Sequence, residues 1–133
     1  MIKHILLIDD DEDEHQFFQW AAKKINHPLS ITHTYCATEA FDILSRSFPD
    51  IIFLDIQLRG ASGFLILEEI RKSVSFATIP LFMYSTVINE SNIKKALLLG
   101  ATGCIRKTSD MNALATCLTN LLEGDTRNQL VVI

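Results

Sequence analysis

Residues 4–15 read HILLIDDDEDEH, an apolar run at 5–8 followed at once by six consecutive acids at 9–14. The run is short and continuous rather than alternating, the pattern of a strand covered on both faces. Acids gathered where such a strand ends repel one another, so part of the block is expected to face a cation. Comparable runs recur at 31–36, 51–54, 81–84 and, more weakly, 104–105. Between them, apolar residues return at helical spacing: Phe17, Phe18, Ala21 and Ile25, then Ala37, Ala40, Phe41 and Leu44, then Phe64, Leu67 and Ile70. Two further sets follow at Ile93, Ala96 and Leu97 and at Leu114, Leu118, Leu121 and Leu122. Prolines 28, 49 and 80 stand just before strands, Gly100 and Gly103 bracket the turn into the fifth, and Asn89 or Ser91 can cap the fourth helix. Strict alternation of strand and helix predicts an α/β chain: a doubly wound, five-stranded parallel sheet with five surrounding helices.

The length of 133 residues suits one domain, read as residues 1–124, with 125–133 as a short tail ending in the apolar LVVI. Hydrophobic residues make up 48% and charged ones 21%, so the chain should fold rather than stay disordered. Net charge is −4, but outside 9–14 only 10 of the 16 acids remain against 12 basic residues. With no Lys/Arg-rich run, a nucleic-acid partner is not expected. No apolar stretch nears the roughly 18 residues of a membrane span, and the first strand leaves no room for a signal peptide. Cys36, Cys104 and Cys117 have no metal-type spacing and read as small buried thiols of a cytoplasmic protein. His4, His15, His27 and His33 form no ligand pattern.

In an open parallel sheet, ligands collect at the carboxyl ends of the strands, near the point where strand order reverses. The residues that end the predicted strands are Asp9 and Asp10, Asp55, Ser85 and, after the fifth, Lys107. Carboxylates without His or Cys suit a hard cation, and an incomplete protein cage suits Mg²⁺. Two such carboxylates about 4 Å apart repel by roughly 4 kcal/mol at an effective dielectric near 20, which a divalent ion would relieve. The same ion would let an anionic phosphoryl group approach an anionic nucleophile. Asp55, at the end of a central strand, is the candidate nucleophile. Ser85 would donate to a phosphoryl oxygen and Lys107 would neutralise another. Residues 11–14 are expected to complement a helix dipole with solvent outside.

Four stretches, ILLIDDDEDE, PDIIFLDIQLRGASGFLIL, IPLFMYST and GATGCIRK, together resemble the phosphoacceptor receiver domains of two-component response regulators. The resemblance spans about residues 2–123. It implies a flavodoxin-like fold with strand order 2-1-3-4-5. It implies that Asp55 takes a phosphoryl group from a histidine kinase or histidine phosphotransfer protein. It further implies Mg²⁺ bound by Asp10, Asp55 and the Gln57 backbone carbonyl, with Asp9 acting mainly through water. Ser85 and Lys107 match the hydroxyl residue and lysine of the family pattern. A downstream protein target would read residues 90–123, in a chain that is a monomer or weak dimer, with no output domain.

Four positions depart from that pattern. Thr108 stands where the family usually has proline, commonly cis, so this bond is either a costly cis or a trans one. Cys104 replaces a frequent aromatic switch residue, Arg59 a frequent proline, and Thr86 a smaller residue beside the hydroxyl. The alternative reading is a receiver-like scaffold that binds its partner without phosphorylation. An enzyme is not expected: Gln57 stands where a hydrolase would need a second aspartate as general acid, and no cap domain is present. A nucleotide-binding sheet is disfavoured by an acidic rather than Gly-rich first loop.

Overall fold

The computed structural model describes residues 2–124. Element order is β1 (Lys3–Ile8), α1 (Glu12–Lys23), β2 (Leu29–Thr34), α2 (Ala37–Leu44), β3 (Ile51–Leu54), β4 (Gln57–Leu58), β5 (Ala61–Ser62), α3 (Gly63–Lys72), β6 (Leu81–Ser85), α4 (Glu90–Leu98), β7 (Gly103–Arg106) and α5 (Met111–Glu123). Five strands form one parallel sheet in the order β2-β1-β3-β6-β7. With the short β4–β5 hairpin set aside, that is the expected 2-1-3-4-5 order. The tail at 125–133, with its apolar end, lies outside the described residues.

Period-two alternation splits each central strand between two cores. Leu6, Ile8, Ile52, Leu54, Leu81 and Met83 face a layer closed by α2, α3 and α4. Ile5, Leu7, Ile51, Phe53, Phe82 and Tyr84 face the other layer, closed by α1 and α5. Both faces are therefore dry, which is why the strands read as unbroken apolar runs. Among the described residues no helix is long and apolar enough to cross a membrane.

Local chemistry sets the element ends. Asp11 caps α1 by accepting from Asp13 N, Ser62 caps α3 through Phe64 N, and Asn89 caps α4 through Asn92 N. The second strand lies at 29–34 rather than 31–36. The Tyr35 N–H is taken by Glu39 Oε1 at 2.7 Å and Cys36 starts α2, so both residues leave the ladder. The last strand is longer than the apolar pair 104–105, because pairing with β6 extends it from Gly103 to Arg106. A 3-10 turn at Val74–Phe76 was not expected.

The β4–β5 hairpin is the main unforeseen element, although it follows from its residues. Arg59-Gly60 forms its two-residue turn, with Gly60 at φ +71°, the backbone that glycine accepts without a Cβ penalty. Gly63 follows it for a different reason. A Cβ there would stand 1.9 Å from the Asp55 backbone carbonyl, so only hydrogen fits. The hairpin is thereby folded back against the end of β3.

Candidate functional site at the carboxyl edge of the sheet

Strand order reverses between β1 and β3, and register puts their ends side by side. Ile8 pairs with Leu54, the Asp55 N–H donates to the Ile8 carbonyl at 3.0 Å, and the Asp9 N–H donates to the Thr34 carbonyl at 3.0 Å. Asp9 and Asp55 thus emerge as neighbours 46 positions apart in the chain. From the far strand, the Lys107 N–H donates to the Ser85 carbonyl at 2.9 Å, and the lysine turns its side chain back over the sheet.

Lys107 Nζ lies 2.7 Å from Asp9 Oδ2 and 3.1 Å from Asp55 Oδ2. The second contact is an aligned hydrogen bond. The first is close in distance but poorly aligned, so Asp9 Oδ2 is ion-paired without a directed hydrogen bond. Asp9 is fully buried and Asp55 nearly so. Burial pushes the Asp9 carboxyl above its ordinary range, against the close Lys107 ammonium and the Asp11 N–H, which pull it down. Burial likewise pulls the Lys107 ammonium down, but the close charges of Asp9 and Asp55 and its hydrogen bond to Asp55 outweigh that and hold it above the usual lysine value.

Asp9, Asp10 and Asp55 each offer a carboxylate oxygen, and these oxygens lie within 4.8 Å of one another. Asp10 Oδ2 accepts from the Arg59 N–H at 2.7 Å, and the exposed Arg59 guanidinium stands 3.8 Å away. Asp55 Oδ1 accepts only a long bond of 3.3 Å from the Gln57 N–H. The buried Asp9 oxygen without a directed partner, the three converging carboxylates and the all-oxygen donor set fit a divalent cation. Gln57 pairs with Ser62 in the hairpin while the Gly63 N–H donates to the Ile56 carbonyl. Antiparallel alternation therefore places Gln57 at a non-hydrogen-bonded position, its carbonyl outside the ladder.

Ser85 is buried at the end of β6, and its Oγ accepts from the Val87 N–H at 3.2 Å, which leaves the hydroxyl hydrogen to donate elsewhere. It lines a cleft of about 520 Å³ together with Gln57, Leu58, Ser62 and Asn92. Thr86 is exposed, Cys104 is buried, and the Lys107–Thr108 bond is trans.

Two expectations need correction. Cys36 is exposed, because its strand ends before it and it stands at the N-cap position of α2 without a side-chain cap bond; Cys104 and Cys117 are buried. The acids after Asp10 do more than face solvent. Asp11 caps α1, Glu12 accepts from the Tyr35 hydroxyl, and half-buried Glu14 accepts from the Tyr84 hydroxyl at 2.7 Å. His15 was also missed: it is buried, and its Nε2–H donates to the Asp9 carbonyl at 2.6 Å. Its place at helical spacing between Asp11 and Phe18 was the only sequence signal that it points inward.

The chain is similar to the phosphorylated cyanobacterial phytochrome response regulator RcpA, with 26% identity over 92% of this chain and 93% of that one, at a TM-score of 0.81. It also resembles the Vibrio cholerae chemotaxis response regulator CheY4, with 18% identity, 91% and 99% coverage and a TM-score of 0.81. The manganese-bound response regulator Rcp1 matches at 21% identity, 90% and 91% coverage and a TM-score of 0.76. At these lower identities the last two show the fold alone. The family model of the response regulator receiver domain matches residues 5–119, and the chain belongs to that family.

Proposed function

We propose that this receiver domain accepts a phosphoryl group on Asp55 from a histidine kinase or histidine phosphotransfer protein, with Mg²⁺ in the acidic cluster. One observation carries the reading: the Lys107 ammonium sits between two buried carboxylates, at 2.7 Å from Asp9 and 3.1 Å from Asp55, on one sheet edge. Asp55 Oδ1, held only by the long Gln57 contact, offers its lone pair to phosphorus. The new bond is O–P; the bond that breaks is P–N of a phosphohistidine, whose imidazole leaves with the electron pair and takes up a proton. Lys107 and the Ser85 hydroxyl hold phosphoryl oxygens as charge builds on them. Asp9, Asp10, Asp55 and the Gln57 carbonyl would hold the metal, which supplies charge neutralisation between nucleophile and phosphoryl group.

The chain acts on itself, and its only turnover is loss of its own acyl phosphate. Its output is a protein contact, for which the exposed Leu97 and Leu98 on α4 are part of the surface. We place this activity in the cytoplasm. The test is a phosphoryl mass gain on incubation with Mg²⁺ and phosphoramidate or a purified phosphotransfer protein. Asp55→Asn should abolish the gain. An unmodified wild type, or equal modification of the variant, would overturn the reading.

A further inference from the structure

Lys107 has a second group of neighbours that the transfer step does not use. Tyr84, in β6, is fully buried, its ring edge-on to Phe18 at 5.9 Å and tilted against Phe53 at 5.6 Å. The Lys107 ammonium stands 5.6 Å from its centroid, within range of a cation–π attraction. The phenol reaches α1, where its hydroxyl donates to Glu14 Oε1 at 2.7 Å. Burial and the Glu14 charge push the phenol well above its ordinary value, so it stays a donor. Burial pushes the Glu14 carboxyl up, against the Tyr84 hydrogen bond and the Lys107 charge, which favour its ionised form. A buried phenol needs some partner, and Glu14 would satisfy it with no further role. The same ring also lies under the Lys107 ammonium, so the carboxylate that holds the phenol holds a surface on which that ammonium rests.

We propose that Tyr84 and Glu14 form a single positioning unit for Lys107: the ring is a floor under the ammonium, and the phenol pins the Glu14 carboxylate at the ring's hydroxyl, where its charge acts on that ammonium. A lysine has a flexible four-carbon stem and three rotatable donors, so it must be held to serve as a preorganised charge. Asp55 holds it before transfer, through Oδ2. Once Asp55 carries a phosphoryl group that carboxylate is altered, and Asp9, the ring and Glu14 remain to keep the ammonium in place. The inference rests on the phosphoacceptor reading.

The test is calorimetric titration with beryllofluoride, a phosphoryl mimic, in saturating Mg²⁺, with Mg²⁺ binding measured separately. Tyr84→Phe keeps the ring and frees Glu14; Glu14→Gln keeps the hydrogen bond and removes the charge. Each should weaken beryllofluoride binding by on the order of three- to tenfold, the scale of one partly screened charge. The double variant should be no weaker than the poorer single one, because the two act as a unit. Ile70→Val, which thins the core layer on the opposite face of the sheet and touches neither residue, should lose stability and keep the affinity. Wild-type affinity in both single variants, multiplied losses in the double one, or an equal loss in Ile70→Val would overturn the proposal. A wild type that binds no beryllofluoride overturns the phosphoacceptor reading and this inference with it.

Discussion

Asp9 shows how one side chain sets a cost that the rest of the site must offset. Its carboxyl is raised by burial, so the folded protein holds that proton more tightly than the unfolded chain does. Its contribution to stability is therefore fully present below the unfolded carboxylate value and lost as pH rises through the folded one. In metal-free protein, Asp9→Asn should gain on the wild type as pH rises above the ordinary carboxylate range, because Lys107 keeps Asp55 as partner while the buried charge is gone. Urea midpoints of both proteins across that rise check this; parallel curves would contradict it. Gly63 sets a steric demand of a different kind. A Cβ 1.9 Å from the Asp55 carbonyl cannot be absorbed by a rotamer change, so Gly63→Ala should cost about 3 kcal/mol or more, read by urea denaturation. At this scale Asp9, Asp10, Asp55, Ser85 and Lys107 were legible, because each ends or follows an apolar run. Glu14 was not, since its partner Tyr84 lies 70 positions away.

Elements are held at their ends as much as by their faces. The α5 cap is Asp110, whose Oδ1 accepts from Asn112 N at 2.9 Å and Ala113 N at 3.2 Å. That helix closes the α1 side of the sheet with Leu114, Cys117, Leu118 and Leu121. Asp110→Ala should cost about 1 kcal/mol in urea denaturation, with amide exchange quickening first at residues 111–113. The helices were legible from their spacing, since an apolar stripe is written in the chain itself. The β4–β5 hairpin was not, because two residues per strand are too few for a period-two signal. Arg59-Gly60 and Gly63 were its only marks, and their meaning depends on where the Asp55 carbonyl lies.

Across the whole molecule, the two-layer core decides which thiols chemistry can reach. Cys104 and Cys117 sit in opposite layers, and burial pushes both thiols up to about 11. Cys36 stands exposed at the start of α2. Ellman's reagent should therefore titrate one thiol in the native protein and three in denaturant; three at once would contradict this packing. The sequence by itself determined the succession of strands and helices, the parallel sheet and the polar residues that end its strands. Those follow from periodicity and punctuation, which neighbouring residues carry. Only the tertiary structure decided that Asp9 rather than Asp10 is fully buried, that Lys107 bridges Asp9 and Asp55, and that Glu14 turns inward to Tyr84. Strand register and helix packing make those choices, and both depend on contacts between residues far apart in the chain.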